Sequence, residues 1–310
     1  MRRVMDPLSA MGASFESQDG RPPVLVRGRA LRPRRFELAI ASAQVKTALV
    51  LAGLQTAGRT EVVEPATSRD HTERLLPLFG AQIERPDARS VAVQGPQMLH
   101  GAEIVVPADP SAAAFWLVAA SVVPGSRLLL RGVGVNPTRT GAIDVLRSMG
   151  AKIRMHERPA VGDEPVADLE VEAAQLHGTV VDGERMLRAI DEFPILAVAA
   201  AFATGPTHFG DGAELRVKES DRIAAMAAGL AALGATVVEE KVGLLVHGGA
   251  ALRGGTVESH GDHRVAMAFV VAALGAQAPV LIRGADAIAV SDPGFLATLA
   301  GLGQGRTGAS

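Results

Sequence analysis

The sequence predicts an α/β (α+β) fold built from repeated β-α-β-α-β-β modules around buried helices. A helix-ending signature recurs as Leu8-Ser-Ala-Met-Gly-Ala13, Leu76-Pro-Leu-Phe-Gly-Ala81, Leu146-Arg-Ser-Met-Gly-Ala151 and Leu230-Ala-Ala-Leu-Gly-Ala235, with a shortened copy, Leu299-Ala-Gly-Leu-Gly303. Its glycines stand at 12, 80, 150, 234 and 303, which are 68, 70, 84 and 69 residues apart. A fixed period of this kind marks one supersecondary unit used repeatedly. Each later copy follows a second, more evenly apolar stretch, and a helix apolar all round is a buried one. These stretches are Ala43–Leu54, Pro110–Val123, Phe193–Thr204 and His263–Leu274. Short alternating segments, the mark of half-buried strands, fill the gaps, as in Thr60–Glu64, Ala81–Glu84 and Val91–Val93.

Taken in order, residues 1–30 read as the tail of a module, a helix followed by a strand at Pro23–Val26. Residues 253–303 read as a module without its last two strands. The one long spacing falls at a polar insertion, His156–Asp168, which reads as a hairpin loop. No Gly/Ser linker interrupts the chain, and the visible joint is Val105-Val-Pro-Ala108. It divides 1–106 from 107–310 as two expected lobes.

Composition excludes several classes. A net charge of −2 gives no electrostatic footprint for nucleic acid. Aromatics at 3%, with one Trp and no Tyr, leave no stacking platform for single strands. The absence of Cys removes disulfides, Cys-ligated metals and a Cys nucleophile. The longest apolar run, Phe193–Ala203, is too short to span a bilayer. Met1-Arg-Arg leads into Val-Met-Asp-Pro, not the apolar core of a signal peptide. The expected setting is cytoplasmic, without membrane partners.

Equivalent modules should bring equivalent loops to one face. The turns before the capped helices are Ala66–Thr72, Asn136–Gly141, Glu214–Arg222 and Ala289–Pro293; those before the buried helices are Ala41–Gln44, Ala108–Ser111, Ile190–Phe193 and Ser259–Arg264. Glu214-Leu-Arg-Val-Lys-Glu-Ser-Asp-Arg222 is the densest in charge, and Ser220 reads as the N-cap of the helix after it. Helix N-termini favour acids. Lys218 and Arg222 run against that rule and fit a bound anion. Composition alone is equally satisfied by a solvated, salt-bridged surface turn. Several such N-termini together predict a substrate carrying phosphate and carboxylate groups.

Ala41-Ser-Ala-Gln-Val-Lys46, Thr67-Ser-Arg-Asp-His-Thr-Glu73, Asn136-Pro-Thr-Arg-Thr-Gly141, Ile190-Asp-Glu-Phe-Pro-Ile-Leu-Ala197, Leu215-Arg-Val-Lys-Glu-Ser-Asp-Arg222 and Asp262-His-Arg264 together resemble the 5-enolpyruvylshikimate-3-phosphate synthase family (3-phosphoshikimate 1-carboxyvinyltransferases). They stand in the family's order over nearly the whole chain. The Ala-Ser-Ala-Gln-Val-Lys form resembles the glyphosate-tolerant-type branch. The resemblance implies a two-lobed enolpyruvyl transferase-like fold of β-α-β-α-β-β units. It implies transfer of the enolpyruvyl group of phosphoenolpyruvate to the 5-hydroxyl of shikimate 3-phosphate, with release of phosphate and no cofactor or metal.

The resemblance also assigns residues. Asp191, otherwise a helix N-cap, would take the hydroxyl proton. Glu219, otherwise a first-turn acid, would protonate the methylene carbon and later remove the proton. Lys218 would bridge the phosphate and the reacting hydroxyl. Ser42, Ala43, Gln44 and Arg69, with Asp191 and Lys218, would hold shikimate 3-phosphate. Gln44, Arg222 and Arg264 would hold phosphoenolpyruvate. Ser42 is otherwise a simple N-cap, Arg69 a partner of Asp70 or Glu73, and Arg264 a surface residue beside its capping Asp262. His263 reads as structural and not as a metal ligand.

The chain also departs from the family pattern. Family members carry an N-terminal portion with Gly-Ser-Lys-Ser, Asn-Ala-Gly-Thr and Arg-Pro-Met segments, and this sequence reads as starting at the last Met, truncated and incomplete there. Residues 1–106 would then be a remnant of the N-terminal lobe. A complementing N-terminal fragment or self-association is the implied partner, and a catalytically incomplete fragment is the alternative reading. Val290 stands where many members have Lys, and Glu214 where some have Asn. The sister reading, a UDP-N-acetylglucosamine enolpyruvyl transferase, typically needs a loop Cys that this chain lacks.

Overall fold

The recurring Gly-Ala signature is a helix terminator with a defined hydrogen-bond pattern. In the computed structural model, which describes residues 1–304, Gly12, Gly80, Gly150 and Gly234 have φ of 111°, 85°, 93° and 89°. Glycine adopts this left-handed conformation without a Cβ clash. The alanine after each glycine donates its N–H back to the leucine that opens the signature: Ala13 to Leu8 at 3.1 Å, Ala81 to Leu76 at 3.2 Å, Ala151 to Leu146 at 2.9 Å and Ala235 to Leu230 at 3.0 Å. This is the Schellman arrangement, which satisfies a carbonyl the helix leaves open. The shortened fifth copy lies inside a final helix and ends nothing.

Contacts divide the chain into two units, Met1–Val106 with Pro159–Pro165, and Pro107–Arg158 with Val166 onward. The first unit contains α1 (Arg2–Met11), β1 (Ser14–Gln18), β2 (Arg21–Arg27), β3 (Arg35–Glu37), α2 (Ala43–Gly53), β4 (Gly58–Val63), α3 (His71–Leu75), β5 (Glu84–Asp87) and β6 (Ser90–Gly95). Met11 of α1, Val45, Leu49 and Val50 of α2, and Val62, Val91 and Val93 of the sheet make its core. Two expectations need correction here. The second terminator follows a 3-10 turn, Leu76–Phe79, and not a full helix, since Pro77 has no N–H to continue the α pattern. Ala81–Ile83 is not a strand: Gln97 clamps Gln82 from both sides, accepting its N–H at 2.7 Å and donating to its carbonyl at 2.9 Å.

The second unit continues with α4 (Pro110–Val122), β7 (Arg127–Gly134), α5 (Gly141–Ser148), β8 (Lys152–Val161) and β9 (Glu164–Glu172). Next come β10 (Val180–Val181), α6 (Gly183–Ala189), α7 (Phe193–Phe202), β11 (Gly205–Phe209), α8 (Arg222–Ala232), β12 (Thr236–Glu240) and β13 (Gly243–Gly248). It closes with β14 (Gly255–Glu258), α9 (His263–Ala273), β15 (Val280–Arg283), α10 (Ile288–Ser291) and α11 (Phe295–Gln304). The predicted turn Ala289–Pro293 is therefore partly helical, with Val290 exposed on α10. The insertion at His156–Asp168 is a hairpin, as expected, but most of it is strand and not loop. It is the far part of a β8–β9 hairpin in which Arg158 pairs with Asp168 at 2.8 Å and His156 with Glu170 at 3.2 Å. Cross-strand charge pairs can hold a hairpin without apolar alternation.

Each module repeats one sheet order. β3-β4-β6-β5 and β10-β11-β13-β12 are complete, β7-β9-β8 has Ala108 bridging in parallel to Val133 in place of a first strand, and β14-β15 is the opening pair alone. First and second strands run parallel, and the second pairs antiparallel with the last. The parallel connection carries a buried helix across. In the second unit these crossover helices, α4, α7 and α9, pack on one another. Alanine fills much of α7, and Phe193, Leu196, Ala197, Val198 and Ala200 are all buried.

Candidate active site

In the second unit the loops before the helices converge, and their charges form one network. Arg222 is the first residue of α8, whose cap is Asp221 and not Ser220: the Asp221 carboxylate accepts the Ala224 N–H at 3.0 Å. Ser220 instead donates to Asp262 at 3.1 Å. Asp262 caps α9 by accepting the Arg264 N–H at 2.9 Å, and it also receives Arg222 Nε at 2.8 Å. Arg222 Nη2 donates to Glu219 at 2.7 Å. Its Nη1 is buried with no hydrogen-bond acceptor among the described residues and lies 3.7 Å from Asp191 Oδ1.

Asp191 is the focus of the cations. Lys218 Nζ is 3.5 Å from its carboxylate, and Arg264 Nη1 donates to its carbonyl at 3.1 Å. It sits in a 3-10 turn, Ile190–Glu192, one residue before the cap position of α7, so its sequence reading as an N-cap does not hold. Arg264 is likewise no surface residue; its side chain is 17% exposed and lies 3.9 Å from Glu192. Glu219 precedes α8 and is not in its first turn, and its side chain is half exposed. Lys218 and Arg222, the two cations that run against the helix-end rule, thus have internal carboxylate partners, and Lys218 precedes α8 and does not lie in its first turn.

A second layer backs this network. Glu192 is buried and accepts from the Ser111 hydroxyl in a very short bond. Arg139 donates to the same hydroxyl at 2.7 Å and to Asp109 at 3.0 Å. Burial pushes the Glu192 carboxyl above the usual carboxylate range, only partly offset by Ser111, Arg139 and Arg264. For Asp262 burial pushes the same way, but the Arg222 guanidinium, the Arg264 N–H and the Ser220 hydroxyl together outweigh it and hold the carboxyl low. Burial and the neighbouring Arg264 charge depress the His263 imidazole.

The first unit holds Ser42, Ala43, Gln44 and Arg69. Ser42 is at the cap position of α2, yet its side chain makes no cap bond. Its N–H goes to Glu64 at 3.0 Å. Ala43 and Gln44 open α2, Gln44 exposed, and Arg69 lies half-buried in the loop before α3. In the same region Arg74 meets Asp70 at 2.9 Å and Lys46 meets Glu73 at 2.8 Å. Sequence reasoning missed Lys46, Glu64 and Glu73, which form a buried cluster with Lys46 Nζ at 2.8 Å from both carboxylates. The signal was a lysine inside an otherwise apolar helix, since lysine is almost never fully buried unless paired. Nearby, His71 Nδ1 lies 2.6 Å from Glu164, and Arg74 donates to the Asp163 carbonyl at 2.8 Å.

Among the described residues no helix is long and apolar enough to cross a membrane. The family model for EPSP synthase (3-phosphoshikimate 1-carboxyvinyltransferase) matches residues 1–299. The 3-phosphoshikimate 1-carboxyvinyltransferase of Acaryochloris marina is 52% identical over 302 residues, covering 96% of this chain and 68% of the relative. That of Synechocystis sp. is 52% identical over 98% of this chain and 69% of its own length. An EPSP synthase structure from Acinetobacter baumannii superposes with a TM-score of 0.87 at 41% identity, covering 95% of this chain and 68% of that one. The enolpyruvyl transferase NikO from Streptomyces tendae, at 20% identity and a TM-score of 0.78 over 97% of this chain and 71% of that one, shares the fold. With half its residues identical to such relatives and the family pattern running from its first residue to residue 299, the chain belongs to the EPSP synthase family.

Proposed function

We propose that this protein transfers the enolpyruvyl group of phosphoenolpyruvate to the 5-hydroxyl of shikimate 3-phosphate and releases phosphate. The observation that carries the reading is the convergence of Lys218, Arg222 and Arg264 on Asp191. Such a set can hold a small dianion, and the buried Nη1 edge of Arg222 supplies a donor that no acceptor among the described residues uses. Guanidinium groups suit it because they grip carboxylate and phosphate in two-point contacts that an ammonium does not make. Asp191 takes the proton of the attacking hydroxyl. Glu219, exposed enough to exchange protons, protonates the methylene carbon as the C–O bond forms. The same carboxylate then removes a methyl proton as the C–O bond to phosphate breaks, and Lys218 offsets the charge on the departing phosphate. Ser42, the N–H of Ala43, Gln44 and Arg69 hold shikimate 3-phosphate.

The two lobes are read as 1–106 and 107–310, working on soluble substrates in the cytoplasm. Ala43, within Ala41-Ser-Ala-Gln-Val-Lys46, supports a place in the glyphosate-tolerant-type branch. Neither the complemented fragment nor the UDP-N-acetylglucosamine transferase draws support from the relatives. The test is phosphate release by the purified chain with both substrates, with each alone, with UDP-N-acetylglucosamine as acceptor, and against a glyphosate titration. Release should require phosphoenolpyruvate and shikimate 3-phosphate together. A folded chain that releases none, or prefers the nucleotide sugar, sinks the reading.

A further inference from the structure

We propose that Glu64 is a positioning residue for shikimate 3-phosphate, its one carboxylate fixing both loops of the first unit that carry the binding groups. Glu64 follows β4, its N–H anchored on the Arg89 carbonyl at 2.9 Å, and it is 3% exposed. Oε1 accepts the Ser42 N–H at 3.0 Å. Oε2 accepts the Ser68 hydroxyl at 2.9 Å and Lys46 Nζ at 2.8 Å. Ser42 opens the Ser42–Gln44 segment, and Ser68 adjoins Arg69 in the other loop. Lys46 sits one turn into α2, donating its own N–H to the Ser42 carbonyl at 3.0 Å, and its ammonium continues to Glu73 of α3 at 2.8 Å. The Thr47 and Thr72 hydroxyls, 2.5 Å apart, join the same two helices.

The chemistry argues against a casual arrangement. A carboxylate beside an intended phosphate site opposes the ligand's charge, so its presence there needs another reason. Lys46 supplies a positive charge from within α2, shared between Glu64 and Glu73, and a buried ionic group keeps its geometry only when its remaining lone pairs are satisfied. Here the Ser42 N–H and the Ser68 hydroxyl satisfy them. By taking the Ser42 N–H, Glu64 sets the direction in which α2 begins. The Ala43 and Gln44 N–H groups, which the first helical turn leaves open, then point along that axis. Displacing such donors lengthens and misaligns the charge-assisted bonds they make to a bound phosphate, which makes the clamp a determinant of substrate affinity as well as of folding.

This inference rests on the proposed function, and the experiment separates the two. Shikimate 3-phosphate binding is measured by calorimetry, and both Michaelis constants by phosphate release, for the wild-type chain, Glu64→Asp, Glu64→Gln and Ser68→Ala. Glu64→Asp withdraws the carboxylate by one methylene, and we expect its Kd and KM for shikimate 3-phosphate to rise about tenfold, with the KM for phosphoenolpyruvate and kcat nearly unchanged. Glu64→Gln keeps an acceptor for Ser42 and should recover part of the affinity. Ser68→Ala removes one bond without stranding a charge, folds normally, and should give a smaller rise confined to the same substrate. Wild-type chain that fails to bind shikimate 3-phosphate overturns the functional reading and this one with it. Unchanged affinity in both Glu64→Asp and Ser68→Ala, with only the unfolding midpoint lowered, overturns the positioning role alone.

Discussion

Arg222 and Asp262 form a fully buried pair in which Nε meets Oδ2 at 2.8 Å and Nη2 meets Oδ1 at 3.4 Å, with the side chains 1% and 0% exposed. Asp262 also caps α9, so one carboxylate orients the α8 guanidinium and begins the neighbouring helix. Removing one partner of such a pair strands the other charge and costs about 3–5 kcal/mol. Asp262→Ala should therefore lower the urea midpoint far more than Ser220→Ala, which removes only a neutral donor. Equal midpoints in circular dichroism titrations would contradict the assignment.

The acid limb of stability should report the same pair. Asp262 is held low, so its contribution is present above the unfolded value, about 3.9, and is lost as pH falls through its folded value. Glu192 has the opposite sign. Its carboxyl is raised by burial, so folding favours its protonated form, and stability is lost as pH rises from the unfolded value, about 4.3, through the folded one. Glu192→Gln should raise the melting temperature at neutral pH relative to wild type and give little advantage at acid pH. A constant offset across pH would show that burial of Glu192 is not what the substitution relieves.

Proton transfer and anion binding should separate in steady-state kinetics. Asp191→Asn and Glu219→Gln should depress kcat by about 10²–10⁴, the usual range for a positioned acid or base. Arg264→Lys should keep the charge but lose the two-point grip, acting mainly on the KM for phosphoenolpyruvate. That KM should also climb with ionic strength. A kcat defect in Arg264→Lys without a KM change would move Arg264 from binding to chemistry.

Gly229→Ala tests helix packing against helix propensity. Alanine in the interior of α8 should gain about 1 kcal/mol from propensity alone. A Cβ at 229 would lie 2.0 Å from Phe269 Cζ, on a fully buried ring, and overpacking a core costs about 1–3 kcal/mol. The ring cannot retreat through α9, so the clash should win and the melting temperature should fall. A gain on substitution would mean that α8 and α9 can move apart.

What the sequence made legible was local. The leucine-to-glycine-alanine signature works because its hydrogen bonds close within six residues, and the apolar helices are buried because few of their side chains are polar. The loop motifs likewise led to Lys218, Arg222 and Arg264 gathering at Asp191. What stayed hidden was pairing between distant charges. Glu64 reaches Ser42 across 22 positions, and nothing near either residue announces the other. The hairpin at 156–168 was legible, but the length of its strands was not, for a related reason: Arg158 and His156 are held by carboxylates on the returning strand, so polarity stands where strands are expected to alternate. Ser220 and Asp221 are both good caps, and only the demand of Asp262 for the serine hydroxyl decides between them.

The tip of that hairpin carries a consequence for inheritance. The joint at 106/107 is a natural breakpoint by contacts, yet residues 159–165 group with the first unit and supply Glu164 to His71 and the Asp163 carbonyl to Arg74. A recombination event that exchanged one side of the joint between two parental genes would therefore split partners that had changed together. Chimeras crossed at 106/107 should survive best when 159–165 travels with the first 106 residues, as a small graft from the same parent.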